Sequence, residues 1–129
     1  MIIDKYGIKT LGILGALAVA LGAFGAHGLK SKVDVISLQS YQTGVLYHFI
    51  HTLAMIFVLV LYRNAVHKNL ERAFLLFLIG ILLFSGSLYS MAFGKAMGID
   101  LTFLGPVTPL GGLAFIAGWV FIAFSSKNQ

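Results

Sequence analysis

Four stretches of this chain contain no Asp, Glu, Lys or Arg: Thr10–Leu29, Val35–Tyr62, Ala73–Gly94 and Leu101–Ser126. Each holds at least 20 residues, and about 20 helical residues cross a hydrocarbon core. In lipid every backbone N–H and C=O must be satisfied within the protein, which leaves only helices and closed barrels. Barrel strands alternate polar and apolar residues, and these runs do not. The chain therefore reads as an all-α integral membrane protein, a bundle of four transmembrane helices at roughly 8–27, 41–62, 73–95 and 108–125. It forms a single membrane domain over residues 1–129. The composition agrees: 10% of residues are charged, against about 25% in a soluble domain, and the mean hydropathy is +0.95.

There is no cysteine, which removes disulfides, thiolate nucleophiles, Cys-based zinc sites and iron–sulfur clusters together. The formal charge of +5 is spread through short loops, so it fits anionic lipid headgroups rather than nucleic acid. Lys5 and Lys9 ahead of an apolar run superficially suit a cleaved signal; the segment is instead expected to stay as the first helix. Loop cations set the orientation. Lys5, Lys9, Arg63, Lys68, Arg72 and Lys127 lie on one side, and Lys30, Lys32 and Lys95 on the other. Six against three puts both termini of this multi-pass chain in the cytoplasm, or the equivalent compartment.

The first helix is rich in small residues. Gly15, Ala18, Gly22 and Gly25 share one face, and Gly12, Ala16 and Ala20 another. Small residues let helix backbones approach closely in lipid, so this helix is expected at the bundle centre; a glycine-lined ligand or pore wall is the alternative. Residues 30–40 read as an amphipathic surface turn, and His67 as a solvated loop histidine. Ser85, Ser87 and Ser90 read first as hydrogen-bonding glue between or within helices. Thr108-Pro109 suits an N-cap followed by a first-turn proline, preceded by a non-helical Leu101–Val107. Trp119, eleven residues further on, reads as a packing or lipid-facing ring.

At about 100° per residue, one stripe of the second helix carries Tyr41, Gly44, His48, His51, Thr52 and Met55. Imidazoles facing lipid would be left without partners, so this stripe is expected to face the other helices. The orientation above places His27, Tyr41, Tyr89 and Thr108 in the same, outer half of the membrane, with Ser85 near its middle. A polar pocket there is the expectation, with His27, Tyr41, Gln42, Tyr47, His48, His51, Ser85, Tyr89 and Thr108 as its candidates. His27, His48 and His51 form a conceivable metal or haem set. No carboxylate or thiolate stands near to complete a zinc site, and His48 and His51 on one helix cannot be the two axial ligands of one haem. No carboxylate in any span orients a histidine for catalysis. Neither catalytic residues nor a cofactor or bound metal are therefore expected.

Several motifs run in order along the chain: Gly22-Ala23-Phe24-Gly25-Ala26-His27-Gly28, Tyr41-Gln42, Tyr47-His48, Ser85-Gly86-Ser87-Leu88-Tyr89, Thr108-Pro109-Leu110-Gly111-Gly112 and Gly118-Trp119. Together they resemble the family catalogued as domain of unknown function 423, the YgdD/YwdK-like small inner-membrane proteins, to which transmembrane protein 256 is similar. The resemblance implies a four-helix membrane protein, bacterial in this copy, and brings no activity with it. The expectation is a non-enzymatic binding or accessory protein whose pocket takes a lipid, a hydrophobic small molecule or a partner subunit. A homo-oligomeric channel or transporter with His48 and His51 on its path is the second reading, and a haem- or metal-binding respiratory accessory the third.

Overall fold

The computed structural model describes residues 2–125; Lys127, used above for orientation, lies outside them. Helix α1 spans Ile2–Phe24 and runs on through a π-helical turn, Gly25–Leu29. Helix α2 spans Val35–Asn64, and α3, Lys68–Gly80, continues through a second π-helical turn, Ile81–Ser85, into α4, Gly86–Ala96. A 3₁₀ turn at Thr102–Leu104 precedes α5, Val107–Ala123. These make four spans of 27, 30, 29 and 22 residues, each long and apolar enough to cross a membrane. The connections 30–34 and 97–106 lie at one end of the bundle, and the 65–67 loop at the other.

The centre belongs to α2 and the α3–α4 rod, not to α1. Helix α2 packs along the spans of α1 and α3–α4 and meets α5 through His51, and about twice as much of it is buried as of α1, 44% against 22%. The expected glycine face of α1 is only partly used. Ala18 is buried and Gly22 and Gly25 meet α2, but a Cβ at Gly15 or Gly12 would meet nothing within 4 Å. Gly7 in the first half meets Leu59 of α2 as well, so α1 touches α2 at both ends of its length and leaves the stretch around Gly12 and Gly15 without a close neighbour.

The closest pairing is between α3, with its π turn, and α5. Three phenylalanines fill the space of three missing side chains: Phe115 lies over Gly80, Phe84 over Gly111 and Phe77 over Gly118. In lipid, where van der Waals packing rather than water exclusion drives helix association, these sockets supply contact that larger residues would block.

The ends differ from expectation in local chemistry. Residues 35–40 are the opening of α2, because Asp34 caps it by accepting from Ser37 N at 2.8 Å. His67 is the N-cap of α3, its Nδ1 accepting from Asn69 N at 3.1 Å. Helix α5 starts at Val107 after Pro106, so Thr108 is not its cap. Pro109 is the third residue of α5, where its missing N–H is one of the donors that have no intrahelical partner anyway. Helix α4 closes with Gly98 at φ 72°, Ile99 N donating to Gly94 O and Gly98 N to Lys95 O, the Schellman arrangement that favours glycine.

Across the same end, Lys95 forms an ion pair with Asp34 and donates to Ser37 Oγ at 2.9 Å. Lys95, and then the Ser37 N–H, hold the Asp34 carboxyl well below the usual carboxylate range. A depressed folded pKa means the tie contributes fully above the unfolded value of about 4 and is lost as pH falls through the folded one. Carboxyl NMR should therefore find Asp34 titrating below an ordinary aspartate, and Lys95→Ala should bring it back up. An unshifted midpoint in the parent chain would contradict the pairing.

Candidate functional site

The stripe on α2 is where helical periodicity puts it: Tyr41, Gly44, His48, His51, Thr52 and Met55 are all buried. What surrounds it is a set of bonded partners. Tyr41 is wholly buried, its ring filling the gap at Gly25 and its hydroxyl donating to the Leu21 carbonyl at 2.5 Å. Ser85, at the end of the second π turn, donates to the Gly44 carbonyl at 2.7 Å. Ser87 and Thr108 share a hydrogen bond of 2.6 Å between α4 and α5. Thr52 donates to the His48 carbonyl at 2.8 Å.

The histidines differ from each other. Trp119 Nε1–H donates to His51 Nε2 at 3.1 Å, and His51 Nδ1 lies 2.8 Å from the Tyr47 carbonyl. An indole N–H can only donate, so Nε2 is the bare nitrogen and Nδ1 carries the proton. The His51 ring also stacks on Phe115 at 3.6 Å. It is neutral, with no ring nitrogen left for a ligand. His48 Nδ1 bonds the Tyr89 hydroxyl at 2.9 Å, while its buried Nε2 has no partner among the described residues. Tyr89→Phe should leave Nδ1 unpaired as well, at about 1–3 kcal/mol, read as a lower midpoint in a detergent unfolding titration.

The expected pocket residues therefore separate. Tyr41, His48, Ser85 and Tyr89 pack together, with Tyr41 and Tyr89 ring centroids 5.2 Å apart. His51 and Tyr47 belong to an aromatic cluster with Phe84 and Phe115. His27 is exposed and does not join them, so the three-histidine ligand set does not assemble. Gln42 lines only a shallow outer groove beside Gly22, Val45 and Phe49. Among the described residues, Tyr41, Ser85, Ser87, Thr108 and His51 spend their polar groups on bonds that hold one helix to another.

Space for a ligand lies elsewhere at the same end of the bundle. A groove of about 450 Å³ runs between the start of α2, the end of α4 and the turn after it. Leu88, Met91, Ala92 and Leu101 form apolar walls, while Ser37, Ser40, Lys95, Asp100 and Thr102 are its polar members. Asp100 Oδ1 accepts from Thr102 N at 2.9 Å and from Thr102 Oγ1 at 2.7 Å, leaving Oδ2 unused by that turn. Sequence reasoning missed this groove and the Trp119–His51 bond. The Asp34-x-x-Ser37 cap and the glycine three residues after Lys95 were the available signals.

Four apolar helices, no strand among the described residues, and polar side chains turned inward define an integral membrane bundle. The chain belongs to the family described as protein of unknown function DUF423, which it matches over residues 21–112. It is similar to the UPF0382 membrane protein YwdK of Bacillus subtilis, 42% identical over 92% of this chain and 97% of the relative. A UPF0382 membrane protein of Haemophilus influenzae is 38% identical over 95% and 94% of the two chains. The UPF0382 inner membrane protein YgdD of Escherichia coli is 36% identical over 92% and 87%. No solved structure matches the chain significantly.

Proposed function

We propose that this protein is a non-enzymatic binding protein of the bacterial cytoplasmic membrane, and that its site is the groove between α2 and α4, not the histidine stripe. The observation that carries this reading is the groove itself. Its volume falls in the range of about 300–1,000 Å³ usual for ligand sites, and its lining is mainly apolar with a few polar and charged groups. Both termini face the cytoplasm, supported by the loop cations, so the groove opens on the outer side. The relatives are bacterial membrane proteins, one named as an inner membrane protein. The non-catalytic reading rests on the stripe: His51 has both ring nitrogens engaged, and no buried Asp or Glu stands among the described residues to orient His48.

Such a groove beside the bilayer takes a lipid or a hydrophobic small molecule. Protein purified in mild detergent should carry a near-stoichiometric amphipathic molecule, recovered by solvent extraction and mass spectrometry. Met91→Trp, which puts an indole into the groove, should reduce the amount at least about tenfold with the fold unchanged. Equal recovery from both proteins would contradict the site.

A further inference from the structure

We infer that the groove binds a zwitterionic phospholipid of the ethanolamine type, reading phosphate and ammonium separately; this rests on the groove being the ligand site. Lys95 and Ser37 lie at the ends of two spans, Lys68–Ala96 and Val35–Asn64, which is the level of lipid headgroups. Leu88 is seven residues before Lys95 on α4, about 10 Å deeper at 1.5 Å per residue. The groove therefore descends from a charged rim into the hydrocarbon layer, and its occupant needs a charged head and an apolar tail.

The charges at the rim choose the head. Lys95 has three N–H donors, of which Asp34 and Ser37 take two. The third, with the Ser40 hydroxyl, can reach a phosphate without breaking the ion pair. Asp34 already balances Lys95, so an anionic lipid finds no net positive charge here. Asp100 is a second carboxylate on the rim with Oδ2 unused by its own turn, and it suits a primary ammonium. A phosphate beside Lys95 and an ammonium beside Asp100 match a phosphoethanolamine head. A glycerol head lacks the cation, and a choline head has the cation but no N–H to donate.

The test is native mass spectrometry of the full chain in detergent, titrated with dioleoyl phosphatidylethanolamine, phosphatidylglycerol or phosphatidylcholine. The ethanolamine lipid should bind about tenfold more tightly than the other two, a charge-assisted hydrogen bond's worth. Asp100→Asn keeps an acceptor for Thr102 and should erase that preference. Lys95→Met should weaken all three lipids. Met91→Trp and, as an independent block, Leu88→Trp should abolish binding, with thermal unfolding confirming that each variant is folded. Equal affinity for the three heads, or preference for phosphatidylglycerol, together with loss in the tryptophan variants overturns the headgroup assignment and leaves the groove as the site. Binding untouched by either tryptophan, in folded variants, overturns the groove and this inference with it.

Discussion

Gly111→Leu is expected to leave little or no folded protein. A Cβ at Gly111 would fall 2.7 Å from Phe84 Cβ and 2.8 Å from its Cα, with the Phe84 backbone nitrogen nearer still. Backbone cannot swing aside as a side chain can, so α5 must move off the second π turn as a body. Overpacking a core typically costs about 1–3 kcal/mol, occasionally more; even Gly111→Ala should reach the top of that range, and leucine should exceed it. Size-exclusion chromatography and thermal unfolding in detergent read the effect. Gly118→Ala provides the contrast. Its Cβ would meet the Phe77 ring at 2.5 Å, a side chain that can be trimmed, so Gly118→Ala with Phe77→Leu should recover much of what Gly118→Ala alone loses. No such rescue should follow Phe84→Leu in Gly111→Ala, because the clash there includes backbone.

Tyr41→Ala is the second large effect. The ring is fully buried, fills the space at Gly25, and lies against Tyr89 at 5.2 Å and Phe93 at 5.7 Å. Its hydroxyl also ties α2 to the Leu21 carbonyl of α1. Truncating a buried aromatic to alanine costs about 3–5 kcal/mol, and here the cavity opens where the peripheral helix is held. Tyr41→Phe keeps the ring and loses one hydrogen bond, about 0.5–1.5 kcal/mol. The expected pattern is a large drop in unfolding midpoint for alanine, a small one for phenylalanine, and early protease cleavage near residues 25–33 only in the alanine variant. Comparable drops for both would mean that the hydroxyl, not the packing, holds α1.

These two sites also show what was legible in the sequence. Tyr41 to Met55 lay on one stripe because helical spacing alone fixes which side chains share a face, and the structure buries all six of its members. The four spans followed from where charge is missing. Register between helices leaves no such trace. That Trp119 reaches His51, sixty-eight residues away, or that Phe84 sits on Gly111 depends on how helices slide past each other. The small residues of α1 were misleading for the same reason: Gly12 and Gly15 permit close approach, but no neighbour comes. Thr108 looked like a cap and became the partner of Ser87 once α5 began one residue earlier, at Val107. Apart from Lys95 and Asp100, the groove is built from hydroxyl residues, methionine, glycine and aliphatics on three separate elements, which the turn at Gly98 brings together.

On the reading proposed above, a lipid-like molecule occupies the α2–α4 groove and the histidine stripe is frame. The direct measurement is photolabelling in bilayers with a phosphatidylethanolamine that carries a diazirine high in one acyl chain, followed by peptide mapping. Label concentrated on residues 88–101, and lost in Met91→Trp, is the predicted result. Label concentrated on residues 41–51, or spread evenly along all four helices, would contradict it.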